Sequence, residues 1–132
     1  MDDIAYYGLG AASGAVLLAA YWRRGPKALA EMGYLAFAVM LAIYVGAHLV
    51  SSETPRILGE TGGALAAMAV AMLVRGRGPA WMGLLILGHG GYDFLLGHSA
   101  GVAPWYPPLC VGFDLVVGLG LIAAGLQGCR AA

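Results

Sequence analysis

Long apolar runs, broken by short polar or proline-bearing stretches, make up the whole pattern of this chain. The runs fall at about 4 to 22, 28 to 50, 57 to 74, 80 to 97 and 107 to 127. Each approaches the roughly 20 residues that a helix needs to cross the hydrocarbon layer of a bilayer. Between them, Gly25-Pro26, Thr54-Pro55, Gly76 to Pro79 and Pro104 to Pro108 interrupt continuous helix, because proline lacks an amide donor and restricts the residue before it. The pattern predicts an all-α membrane protein: a compact antiparallel bundle of five transmembrane helices, one domain spanning 1–132. Spaced small residues such as Gly10 and Gly14, among 22 glycines in all, predict close helix approach, since small side chains let backbones meet in lipid.

Composition supports lipid as the main solvent. The chain is 61% hydrophobic and 11% charged, whereas soluble domains carry about a quarter charged residues. Net charge is zero and no basic run exceeds Arg23-Arg24, which argues against a nucleic-acid surface or a polybasic lipid-binding arm. The partners expected are membrane lipid and a small lipophilic or amphipathic ligand, not nucleic acid, with a homo-oligomer left open. The first run opens with Asp2-Asp3 and is followed by Arg23-Arg24, the reverse of a signal peptide's charge order, so it reads as a retained helix. Cys110 and Cys129 would lie roughly 28 Å apart along one helix, too far to pair.

Loop charges predict orientation, because cytoplasmic loops carry the excess of Lys and Arg. With five spans, Arg23, Arg24, Lys27, Arg75, Arg77 and Arg130 fall on one face and only Arg56 on the other. This places the N-terminus outside and the C-terminus in the cytoplasm, in a multi-pass protein of a bacterial inner membrane. Aromatic residues at run ends agree with these boundaries. Tyr6, Tyr7, Trp105 and Tyr106 mark the outer interface, and Tyr21, Trp22 and Trp81 the inner one.

The candidate chemistry lies in ionisable side chains inside the spans, which cost about 2.5–3.5 kcal/mol each on insertion scales and so need a reason. Helical rise puts Glu60 and Asp93 roughly 6 Å, Asp114 roughly 9 Å and His89 roughly 12 Å below the outer helix ends. Their shared level predicts one polar pocket in the outer half. His89 and Asp93, four residues apart, share a helix face. Tyr92, Trp105, Tyr106, His48 and His98 are expected around the ligand, with the proline-rich fourth connection above the pocket. Glu31, near the opposite end, reads as a group close to Arg23 and Lys27.

Three functional readings fit this set. His89, Asp93, Asp114 and Glu60 can do acid and base work on an apolar substrate, because a low-dielectric site favours the neutral form of an acid. The same groups can relay protons or a cation in a transporter or channel component, or they can ligate a divalent metal. No metal site is assigned, since no tight thiol or multi-histidine spacing occurs, and no cofactor is implied. The structural alternative is an accessory subunit whose polar groups bond one another and set helix register. Met68 and Met72 share a helix face, but thioethers commonly fill core gaps. A triplet of glycine, aromatic and aspartate repeats at Gly91-Tyr92-Asp93 and Gly112-Phe113-Asp114, each with a glycine six positions after the first, at Gly97 and Gly118. This is a slight hint of inverted repeats.

The run GHGGYDFLLGH followed by VAPWYPPLCVGFD resembles a group of small bacterial multi-pass membrane proteins. Their pattern is His-Gly or His-Ala, an aromatic-Asp pair, a Pro-x-Trp-Tyr-Pro turn, then Cys and Asp. The resemblance covers about the last third of the chain, implies no activity, and carries His89, Asp93, Trp105, Tyr106, Pro107 and Asp114 as motif positions. This sequence departs from it at Gly90-Gly91-Tyr92, where the group more often has tryptophan before the aspartate. In His89 to Asp93 the chain is also faintly similar to the emopamil-binding and sigma-2-like bundles, whose His-x-x-x-Glu and second acid surround a lipophilic ligand. The acid is one carbon shorter here and no further motif is shared. The expected function is therefore a pocket for a lipophilic or amphipathic molecule, with isomerase-, hydratase- or cyclase-like proton transfer as its chemistry.

Overall fold

A computed structural model describes residues 3–51, 54–97 and 101–130. Among the described residues there are five α-helices: α1 (Asp3–Trp22), α2 (Pro26–Ser51), α3 (Thr54–Val74), α4 (Pro79–Leu96) and α5 (Tyr106–Arg130), with a 3-10 turn at Arg75–Arg77. The breakers read from the sequence do the punctuation. Gly25 and Gly78 adopt φ of 88° and 110°, a region that L side chains avoid. Each is followed by a proline in the first turn of the next helix, where the missing amide would have had no partner anyway.

α5 is the axis of the bundle. It packs against α4 on one side and α1 on the other, and α2 lies across α4 with α3 outside it. Small residues set these approaches. A Cβ on Gly10 would collide with the Leu109 carbonyl, and one on Gly112 with the backbone of Tyr7, so α1 and α5 run parallel with almost touching backbones. Gly83 faces Gly118 and Ile122, and Gly125 faces Ala80, which makes α4 antiparallel to α5. Gly14 packs on Phe113 and Val117, as its spacing from Gly10 predicts. The two repeated triplets are not equivalent, because Gly112 is a contact point whereas Gly91 faces open space.

Of the five predicted spans, four are long and apolar enough to cross a membrane: Asp3–Trp22, Pro26–Val50, Ile57–Arg77 and Tyr106–Gln127. The fourth helix, α4, is not among them. Its 18 residues include His89, Asp93 and four glycines, which lower its hydropathy. Its polar load lies on its packed face: Met82, Gly83, Ile86, His89, Gly90 and Asp93 are buried, while Leu84, Phe94 and Leu95 are exposed on the other side. The outer faces of the other helices expose Val16, Leu35, Leu58, Leu73 and Leu115, an apolar surface suited to lipid.

Met82, Ile86, Val117 and Leu121 have no exposed surface and form the centre of the core. One end of the bundle is basic and aromatic. There Arg24 lies over Tyr21, Arg75 over Tyr34 and Arg77 over Trp81. Glu31 belongs to this end, but its partner is not the expected pair Arg23 and Lys27. Arg75 reaches it with two contacts, Nε donating to Oε1 at 2.9 Å and Nη2 at 2.6 Å from Oε2, because α2 is antiparallel to α3 and the turn after α3 returns beside the start of α2.

Candidate functional site

Toward the other end, α4 presents His89 and Asp93 on its buried face, one turn apart. Gly90, between them, permits the next step: a Cβ there would stand 2.9 Å from the Cβ of Asp114, so only glycine lets α5 bring that carboxylate beside His89. The His89 Nδ1 lies 3.0 Å from Asp114 Oδ2 and 3.5 Å from Asp93 Oδ2. α2 contributes Tyr44, whose hydroxyl donates to Asp93 Oδ1 at 2.5 Å. Its ring packs edge-on against His89, Tyr92 and Tyr106 at centroid distances of 5.6, 5.6 and 5.8 Å. Asp114 has no exposed surface, Asp93 has 1% and His89 has 7%.

Three atoms of this buried group lack a hydrogen-bond partner: His89 Nε2, Asp93 Oδ2 and Asp114 Oδ1. Buried polar atoms are usually paired, and an unmade bond costs about 1–3 kcal/mol. The group thus has unused donor and acceptor capacity. When Nδ1 carries the proton and donates to Asp114, Nε2 holds the free lone pair. An imidazole oriented by a carboxylate with its other nitrogen unoccupied is the arrangement used to accept and return protons.

Glu60 is not part of this triad. It accepts a hydrogen bond from the Tyr92 hydroxyl at 2.6 Å, and His48 Nε2 lies 3.6 Å from the same carboxylate oxygen. The four predicted acids and bases therefore divide into a buried triad, His89, Asp93 and Asp114, and a second group of Glu60, Tyr92 and His48. His48 is buried, with 1% of its surface exposed, rather than solvated as its place near a helix end suggests. α3 folds back alongside α2 and brings Glu60 to it.

A cavity of about 360 Å³ joins the two groups. Its walls are Phe37, Leu41 and Tyr44 from α2, Glu60, Ala64 and Ala67 from α3, and Leu84, Gly88, His89 and Tyr92 from α4. Packing between α3 and α4 is sparse, which leaves this space open. The volume falls within the range of small-molecule sites, about 300–1,000 Å³, and the mixture of apolar wall and few polar groups is also typical of them.

Trp105 and Tyr106 do not line this cavity. Trp105 packs on Tyr6 and on Tyr106, and Tyr106 borders a separate groove of about 490 Å³ between α1, α2 and α5, whose walls include Ser13, Met32, Val39 and Phe113. Trp105 thus faces Tyr6 of α1, whereas the Tyr106 ring packs on Tyr44 of α2. His98 lies outside the described residues. Two residues that matter to the site were not singled out from the sequence, Tyr44 and Phe37. A signal for Tyr44 existed, because a phenol deep in an apolar run needs a hydrogen-bond partner. Cys110 is buried and unbonded to any other cysteine. Comparison with protein-family models, with curated proteins and with solved structures found no match, so the geometry of the site carries the functional reading.

Proposed function

We propose that the protein takes a small lipophilic or amphipathic molecule from the membrane into the cavity between α2, α3 and α4, and that His89 exchanges a proton with it. The observation that carries this reading is the position of the triad: an imidazole oriented by Asp114 forms part of the wall of an otherwise largely apolar cavity. In this reading the apolar body of the ligand lies against Phe37, Leu41, Ala64 and Ala67. Its polar end meets His89 and the Glu60–Tyr92 pair. Proton transfer of this kind serves isomerisation, hydration or cyclisation, which need an acid and a base but no redox partner.

The basic end of the bundle supports an orientation with that end in the cytoplasm, the N-terminus outside, and the cavity in the outer half of a bacterial inner membrane. A carrier of protons or cations is the less favoured alternative. Below the triad the fully buried layer of Met82, Ile86, Val117 and Leu121 offers no polar continuation toward the basic end.

The test is native mass spectrometry of gently extracted protein beside Ala67→Trp, which occupies cavity space from α3 and replaces none of the triad residues. A small lipophilic mass retained by the wild type and lost from Ala67→Trp is the expected result. A wild type that carries no such mass, with both proteins equally folded, leaves the polar groups as helix-register contacts only.

A further inference from the structure

We infer that His89, Asp93 and Asp114 form a binding site for one divalent transition-metal cation. This goes beyond the ligand cavity and does not depend on it. One potential ligand atom from each of the three side chains lies within 4.8 Å of the other two. A zinc- or manganese-sized ion about 2.1 Å from each donor would hold neighbouring donors about 3.0–3.4 Å apart. The separations from His89 Nδ1, 3.0 Å to Asp114 Oδ2 and 3.5 Å to Asp93 Oδ2, match that spacing, and the two carboxylates, within 4.8 Å of each other, would close on the ion by side-chain rotation. Imidazole together with carboxylates suits zinc, iron and manganese.

A second observation points to a missing partner. Asp93 is 99% buried, by its exposure of 1%, and its Oδ2, the oxygen turned toward His89, accepts no hydrogen bond. The opposite oxygen, Oδ1, is held by the Tyr44 hydroxyl, so the carboxylate is fixed with its unused oxygen facing inward. Outer hydrogen bonds of this kind orient metal-ligating carboxylates.

Charge balance favours the same conclusion. If both buried carboxyls ionise, they leave net negative charge beside even a protonated imidazole, a costly state in a low-dielectric interior that either a proton or a cation relieves. A doubly charged cation with neutral His89 and both aspartates ionised makes the group neutral. With the metal on Nδ1, the hydrogen bond from His89 to Asp114 is replaced by two metal bonds and Nε2 carries the imidazole proton, so the metal-loaded and proton-accepting forms of His89 are alternative states of one site.

The experiment strips detergent-extracted full-length protein with a chelator and titrates it with Zn2+ and, separately, Mn2+, reading bound metal per chain after desalting. The expected result is about one ion per chain for the wild type, at least tenfold weaker binding for Asp114→Asn and Asp93→Asn, and a weakening of about 10- to 100-fold for Tyr44→Phe, the usual range for loss of an outer hydrogen bond. Glu60→Gln and Ala67→Trp should bind the metal as the wild type does, and circular dichroism should show every variant to be helical. No stoichiometric binding by folded wild type, or equal binding by wild type and a folded Asp114→Asn, overturns the site. If Asp114→Asn does not fold, the Tyr44→Phe comparison decides. Because Ala67→Trp should lose a lipophilic ligand but keep the metal, failure of the cavity reading and failure of the metal site are distinguishable.

Discussion

Gly90→Ala tests the packing on which the whole site depends. The added methyl carbon would lie 2.9 Å from the Asp114 Cβ and 3.3 Å from its Oδ2. The closer atom is fixed to the α5 backbone and cannot turn aside as a side-chain tip would, so the helices must separate by several tenths of an ångström. Forcing an extra carbon into a packed interior costs about 1–3 kcal/mol. Gly91→Ala is the control, since a Cβ there meets nothing within 4 Å on the same helix. Both substitutions gain the same intrinsic helix preference, about 0.8–1.0 kcal/mol in water, so the difference between them isolates the overpacking. Unfolding in mixed micelles, followed by circular dichroism, should place Gly90→Ala about 1–3 kcal/mol below Gly91→Ala. Equal stabilities, or a more stable Gly90→Ala, would refute the close approach of α4 and α5 at Asp114.

Two further outcomes follow from the same contacts. Tyr44→Phe deletes the hydroxyl that donates to Asp93 while keeping the ring, and leaving that buried acceptor unmatched should cost about 1–3 kcal/mol in the same unfolding assay; an unchanged stability would mean that the bond is not made. For orientation, with Cys129→Ser removing the terminal thiol, a cysteine replacing Gly101 should react with a membrane-impermeant thiol reagent added to intact cells, and one replacing Gly25 should react only after lysis. The opposite pattern reverses the proposed topology.

Much of this architecture is written in one dimension. Helix number and limits follow from apolar run length and from glycine and proline positions, which are local properties. The common level of His89, Asp93, Asp114 and Glu60 follows from helical rise and alternating direction alone. Rotation about the helix axes does not follow, because runs that are apolar on every side mark no inward face. Only the packed structure separates Glu60 from the triad, keeps Trp105 and Tyr106 off the cavity wall, and brings Arg75 rather than Arg23 or Lys27 to Glu31. It also turns the polar residues of α4, the helix that falls short as a span, onto a packed face, where neighbouring helices shield them. Tyr44 and Gly90 show the limit most clearly. Their importance lies in which atom stands opposite, an aspartate hydrogen-bond acceptor for one and the Asp114 Cβ for the other, and contacts between distant segments are set by three-dimensional packing.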